Sequence, residues 1–200
     1  MPGPIEFWFE FASPYGYFAA SRIDKLAEKH RRPVGWHPFL LGVVFKATGG
    51  QPLTGIPMKG AYSRRDMERT AGFLGVPFKL PEPFPFLSVA PARAFYWLTD
   101  NEPGRAKALA LAVYHAIFGE GRVIDKPEQV ADIAAGIGID RSALLAGMAE
   151  PKVKDRLRAE TERAIAQGIF GSPFVIADGE PFWGHDRFDQ LDRWLDTGGW

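Results

Sequence analysis

The stretch Ile5-Glu6-Phe7-Trp8-Phe9-Glu10-Phe11-Ala12-Ser13-Pro14-Tyr15-Gly16 decides the fold. Residues Ile5 to Phe11 form a short apolar and aromatic run bounded by Pro4 and Pro14, which predicts a buried strand and is too brief for a helix. Ser13-Pro14 then supplies an N-cap candidate with proline at the first helical position, and Phe18, Ala19, Arg22, Ile23, Leu26 and Ala27 fall on one helical stripe. A strand therefore feeds a helix at Ser13. Val34 to Phe39 predicts a second strand, and a crossover of ~10 residues or more makes the two strands parallel.

From Leu40 to Pro85 the chain is dense in glycine and proline, including Gly49-Gly50, Gly55, Pro57, Pro77, Pro81, Pro83 and Pro85, with one helix-like island over Lys59 to Leu74. Long loops of this kind are commonly functional. A helical block follows over Val89 to Asp100, Arg105 to Phe118, Lys126 to Ala135, Arg141 to Ala149 and Lys152 to Gln167. In the last of these, Val153, Leu157, Ala164 and Ile165 make the apolar stripe. Lys152, Lys154, Arg156, Arg158, Glu160, Glu162 and Arg163 read as a solvated face. Beyond Gly168 the pattern returns to strands. Phe174 to Ala177 and Glu180 to Trp183 flank Asp178-Gly179, the type I′ hairpin signal, and Asp186 to Leu195 is amphipathic. The order is β-α-β, a helical insert, then β-β-α, with no repeat or interdomain linker.

The chain has 200 residues and a mass of 22.2 kDa, which suits one domain or one domain with an insert. Apolar residues at 46% with 6 Trp, 16 Phe and 5 Tyr exclude intrinsic disorder. Lys plus Arg number 24 and Asp plus Glu number 24, so no overall field recruits nucleic acid or a membrane surface. There is no cysteine, which removes disulfides, thiolate metal sites and a catalytic cysteine; any thiol chemistry must use a borrowed thiol. The start of the chain lacks a secretory h-region, and nowhere do ~18 apolar residues run together, so the cytoplasm is the expected location. His30, His37, His115 and His185 lack ligand-type spacing, so no metal is expected. Gly136-Ile137-Gly138 sits between helices rather than after a strand, and Ser13 lies in Phe-Ala-Ser-Pro-Tyr rather than in a nucleophile elbow. Two readings of Ser13 stay open: a helix cap, or a hydroxyl beside unpaired backbone N–H donors able to hold an anion such as a thiolate.

The order of elements, with Gly171-Ser172-Pro173 ahead of the third strand, resembles the thioredoxin superfamily with the helical insertion of DsbA-like proteins. Where redox members carry Cys-x-x-Cys, this sequence has Ser13-Pro14-Tyr15-Gly16. That substitution, together with Phe9 to Tyr15 and Phe182-Trp183-Gly184-His185-Asp186-Arg187, resembles 2-hydroxychromene-2-carboxylate isomerases and the related kappa-class glutathione transferases. Pro151 to Lys154 and Gly168 to Gly171 extend the likeness across the chain.

The resemblance implies an α/β, thioredoxin-like fold with an inserted all-helical domain. Residues 1–45 and 168–200 would form the thioredoxin-like domain, and residues 46–167 the helical insert with its Gly/Pro-rich active-site loop. It implies glutathione as cofactor, an aromatic small-molecule substrate, and a homodimer. Ser13 matches the serine that hydrogen-bonds the glutathione sulfur; Pro14 and Tyr15 complete that turn. Pro173 matches a cis-proline, with Ser172 offering its backbone to the cysteinyl part of the tripeptide. Asp186 and Arg187 match the pair at the γ-glutamyl end, and Asp186 also reads as an N-cap. Lys59 and Lys46 match cations near the glutathione and substrate carboxylates. Gly50 departs from the asparagine of kappa-class transferases, and the substrate-binding Asn-Arg pair of the naphthalene-pathway isomerases has no counterpart around Leu53-Thr54. Phe7, Trp8, Trp36, Phe39, Phe84, Phe86, Trp97 and Trp183 are mostly core, with some available to wall a pocket. The implied activity is cis–trans isomerisation by reversible thiolate addition. A kappa-type transferase and a non-catalytic peptide-binding module are the alternatives.

Overall fold

The structure, a computed structural model, describes residues 3–200. Its sheet has four strands in the order β2-β1-β3-β4: β1 (Ile5–Phe9), β2 (Val34–Pro38), β3 (Phe174–Ala177) and β4 (Glu180–Trp183). β1 runs parallel to β2, with Ile5 opposite Val34 and Phe9 opposite Pro38, and antiparallel to β3; β3 and β4 form an antiparallel hairpin. Asp178 (φ 54°) and Gly179 (φ 88°) take the two left-handed positions that a type I′ turn requires. β1 is buried on both faces, which explains its almost continuous apolar run. Phe7 and Phe9 enter the main core, whereas Trp8 joins a second cluster with Phe39, Val44, Ala164, Ile169 and Phe174. The ladder ends at Phe9, two residues before the predicted end; Phe11 and Ala12 form a turn.

Helices α1 (Pro14–Ala20) and α2 (Ile23–Lys29) replace the one helix expected, with a break at Ser21–Arg22 where the Ser21 hydroxyl donates back to the Phe18 carbonyl (2.8 Å). The segment expected to be loop contains α3 (Leu41–Thr48) before the predicted island, α4 (Lys59–Leu74). The insert continues with α5 (Val89–Asn101), α6 (Pro103–Tyr114) running into a π-helical turn at His115–Gly119, α7 (Pro127–Gly136), α8 (Arg141–Ala149) and α9 (Pro151–Ala166). A 3₁₀ turn (His185–Arg187) precedes α10 (Phe188–Thr197).

One core is continuous between strands and helices: the Phe9 ring packs edge-on against Phe95 of α5 (5.8 Å between centroids) and tilted against Tyr114 of α6 (5.9 Å). The expected boundary at residues 45–46 falls inside α3. The solvated face expected on α9 needs correction at Glu160, which is buried. Its carboxylate accepts from Arg156 Nε (3.0 Å) and from Arg163 Nη2 (2.7 Å), and the Arg163 guanidinium lies over the Trp8 ring (4.4 Å). A buried carboxylate between two guanidiniums is paired, as burial of a charge demands. These contacts fix the end of α9, from which the chain passes to the Gly171-Ser172-Pro173 loop.

Candidate active site

Ser13 occupies the N-cap of α1: its Oγ accepts from the Gly16 N–H (3.1 Å), and its carbonyl accepts from the Tyr17 N–H (3.0 Å). Pro14 brings no N–H, so the donor left over at this end of the two-turn helix is that of Tyr15. The Ser13 hydroxyl does more than cap. It donates to the carbonyl oxygen of Ser172 (3.0 Å), and the Ser172–Pro173 peptide bond is cis, as the resemblance implies. Ser172 Oγ in turn accepts from the Glu10 N–H (2.9 Å), and the Gly184 N–H donates to the Pro173 carbonyl (3.0 Å). Ser13, Ser172 and Pro173 are thereby brought to one corner, with the Gly184-His185-Asp186-Arg187 segment beside it.

Gly171 lets the indole of Trp183 approach closely, because a Cβ there would overlap the ring and displace it. Trp183 is 55% exposed and meets Phe170 edge-on (4.8 Å between centroids), so it is the one of the anticipated aromatics that stands at the surface. Phe7, Trp8, Trp36, Phe39 and Trp97 are core, and Phe84 and Phe86 are half-buried.

Tyr15 reaches from α1 to α4 and to the segment after β4. Its hydroxyl donates to Asp66 Oδ2 of α4 (2.8 Å), and its ring stacks on His185 (5.4 Å between centroids, 5° between planes). Burial, then the Asp66 carboxylate, push the Tyr15 hydroxyl above its ordinary range, so it stays protonated. His185 has a buried Nδ1 with no partner among the described residues, and burial lowers its pKa, so the imidazole is neutral at pH 7. Asp186 and Arg187 are adjacent and exposed, paired Oδ2 to Nη2 at 3.2 Å. Asp186 is not a cap, contrary to one of its two readings: the N-cap of the 3₁₀ turn is Gly184 (φ 110°) and that of α10 is Arg187, neither with a side-chain cap bond.

Lys59 is the first residue of α4, exposed, and lies seven positions before Asp66, which puts both on one helical face about 10 Å apart along the axis. Lys46 is exposed in the last turn of α3. Neither lysine makes an ion pair among the described residues.

Glu10 is the site residue that sequence reasoning missed. It is 7% exposed, and burial, opposed by backbone N–H donors, raises its pKa from 4.5 to about 7. Oε2 accepts from the Leu41 N–H (2.8 Å); Oε1 accepts from the Ala12 N–H (3.2 Å) and from the Ser88 hydroxyl. Its carbonyl accepts from the Ser13 N–H (2.9 Å) and the Tyr114 hydroxyl (2.9 Å). The available signal was an acidic residue between Phe9 and Phe11 in a run with no other reason to be polar.

His30, Asp192 and Asp196 also converge, their ligand-type atoms within 4.8 Å of one another. The Lys29 ammonium bonds to both carboxylates (2.7 and 3.2 Å), so the cluster already holds its cation.

The corner thus gathers a hydroxyl that both caps and bridges, the Tyr15 N–H and the backbone of Ser172, with the exposed Asp186–Arg187 pair in the segment beside it. A family model for the DSBA-like thioredoxin domain matches residues 4–196. Glutathione S-transferase kappa 2 of Caenorhabditis elegans is 28% identical over 207 residues, covering 96% of this chain and 91% of that protein. A 2-hydroxychromene-2-carboxylate isomerase of Sphingobium xenophagum is 28% identical over 197 residues, covering 98% of this chain and 99% of that protein. Among solved structures, a 2-hydroxychromene-2-carboxylate isomerase superposes with a TM-score of 0.87 at 28% identity, over 96% of this chain and 94% of that one.

Proposed function

We propose, for a chain that belongs to the DSBA-like thioredoxin domain family, a glutathione-dependent cis–trans isomerase of 2-hydroxychromene-2-carboxylate or a similar unsaturated aromatic hydroxy-acid. The observation that carries this reading is the serine corner: Ser13 Oγ at the cap of α1 and 3.0 Å from the carbonyl before the cis-proline, in a chain with no thiol of its own. Two isomerases and a kappa-class glutathione transferase among its relatives support the chemistry and the cofactor.

Glutathione held at this corner would supply a sulfur nucleophile for reversible addition to a conjugated double bond, chemistry that exchanges the two geometries of the bond without consuming the thiol. The chain's part is to hold and orient. The Ser13 hydroxyl turns from the Ser172 carbonyl to the sulfur, and the Tyr15 N–H faces the same place; each donor favours the anion. Ser172 presents its backbone groups to the cysteinyl unit. Neutral His185, Asp186 and Arg187 take the γ-glutamyl end, with the Asp186 carboxylate on its ammonium. Lys59 meets the opposite carboxylate, and Lys46 the carboxylate of the substrate. The cytoplasm, where glutathione is reduced, is the proposed location. No helix among the described residues is long and apolar enough to cross a membrane.

Ultraviolet titration of the thiolate in the glutathione complex tests this. The wild type should show a thiol pKa pulled below the free value of ~8.5 toward neutrality, and Ser13→Ala should return it upward. Binding with an unshifted thiol in both proteins would sink the proposal. The transferase relative keeps a second reading in view: consumption of glutathione with an electrophile would mark that activity, and recovery of all added thiol marks the isomerase.

A further inference from the structure

The buried acid that this chemistry does not use is also the residue that ties the most segments together. Glu10 bonds to the turn before α1 through Ala12, to the start of α3 through Leu41, and to Ser88 at the cap of α5; its backbone bonds to Ser172, Ser13 and Tyr114 of α6. Ala12 directly precedes Ser13. Leu40, the N-cap of α3, has no side-chain cap bond, so the carboxylate, with Thr161 Oγ1 beside it on the Leu40 N–H, serves a helix end that its own cap residue cannot.

We propose that Glu10 is a positioning residue for the sulfur corner: ionised, its carboxylate locks Ser13 and Ser172 in register with α3 and α5, and a proton gained there loosens the corner and weakens its hold on glutathione. The lock itself stands without any ligand; the effect on glutathione rests on the function proposed above. An ionised carboxylate is acceptor-only and matches the three donors that meet it, whereas the protonated acid brings a hydrogen of its own among them. The Ser88 hydroxyl can reverse and accept that hydrogen. The Ala12 and Leu41 N–H groups cannot reverse, and they exchange a charged acceptor for a neutral one about half as strong. Burial brings this exchange to about pH 7. Tyr114, whose hydroxyl bonds to the Glu10 carbonyl, stays neutral throughout, because burial, then the Glu10 charge, hold it well above the ordinary value.

Amide NMR of the full chain between pH 5.5 and 8.5 tests the lock. The Ala12, Ser13, Leu41 and Ser172 signals should move together with one midpoint near pH 7 in the wild type and lose that transition in Glu10→Gln. Ser88→Ala, which removes one donor to the charged form, should move the midpoint up by roughly half a pH unit or more. A wild type without the shared transition, a transition that persists in Glu10→Gln, or a midpoint that Ser88→Ala leaves in place would overturn the proposal. The ligand arm uses S-methylglutathione, which has no thiol to titrate. Its affinity should rise roughly threefold or more from pH 6 to 7.5 in the wild type and in His185→Gln, and stay level in Glu10→Gln. A rise that survives Glu10→Gln, or vanishes in His185→Gln, removes the effect on binding from Glu10. If S-methylglutathione binds the wild type at no pH, the glutathione reading fails, and the amide titration still decides the lock.

Discussion

The Ser13 hydroxyl and the Ser172 carbonyl oxygen, 159 positions apart in the chain, lie 3.0 Å from each other. The same hydroxyl accepts from Gly16, so one atom of a buried residue both caps a helix and bridges to the cis-proline loop. Ser13→Ala should therefore have two separable effects. Loss of the cap should cost about 1 kcal/mol in urea denaturation. Loss of a donor to an anion, worth about 1.5–3 kcal/mol, should lower kcat/KM roughly 10- to 150-fold.

Lys59 is exposed, without an anion partner among the described residues, on the α4 face that carries Asp66. Lys59→Ala should raise the Kd for glutathione roughly threefold to tenfold at low salt and less at high salt, since exposed charges are screened. Calorimetry with γ-glutamylcysteine, which lacks the glycine carboxylate, should show no such penalty. An equal penalty with both ligands would place Lys59 elsewhere.

Two glycines meet tryptophans, with different consequences. A Cβ at Gly147 of α8 would overlap the indole of Trp97, which is 9% exposed and donates from Nε1 to Glu150 (3.3 Å). At Gly171 the neighbour is the half-exposed Trp183, which has room to swing out. Gly147→Ala should destabilise by about 1–3 kcal/mol in chemical denaturation with the corner intact. Gly171→Ala should destabilise less, red-shift the tryptophan emission and weaken glutathione binding by displacing the Ser172 loop.

Burial, then the Arg163 guanidinium, push His37 down from 6.5 to about 4; its Nδ1 lies 2.9 Å from Arg163 Nη2 and accepts from it when neutral. Between pH 4 and 6.5 the unfolded chain binds the proton that folded His37 refuses, so this group favours folding increasingly as the pH rises through that window. Glu10 acts oppositely: its raised value makes the folded chain hold the extra proton between pH 4.5 and 7, so its contribution falls as pH rises. His37→Gln keeps an acceptor for Arg163 and removes the first slope. Urea denaturation should show the stability at pH 7 minus that at pH 5 lower by about 2 kcal/mol than in the wild type, where the His37 and Glu10 slopes offset each other. An unchanged difference would mean that His37 charges freely in the folded protein.

The strands and the Ser13 cap were legible because their signals are local: an apolar run between prolines, a Ser-Pro start, an Asp-Gly turn. Lys59–Leu74 was legible for the same reason, with Gly75 (φ 67°) closing it. α3 was not. Leu40 cannot cap, Gly42 and two valines lower its propensity, and it forms because groups far along the chain serve its first turn: the Glu10 carboxylate accepts from Leu41, and Thr161 Oγ1 accepts from Leu40 (3.2 Å). Glu160 carried a readable signal that its charged neighbours masked, since position 160 completes the apolar stripe of Val153, Leu157 and Ala164 at helical spacing. The resemblance led to Ser172, Pro173, Asp186 and Arg187, but Tyr15 pairing with Asp66 and the orphaned nitrogen of His185 emerge only when the elements pack.

The sheet order carries a consequence for synthesis. β1 lies between β2, which leaves the ribosome soon after it, and β3, which comes out only after the whole helical insert. A nascent chain therefore exposes its first strand, half paired, throughout translation of the insert, and a contact of such long sequence separation closes late. A fragment that ends before residue 172 lacks the Ser172 partner of Ser13, and its unpaired first strand makes it prone to aggregate.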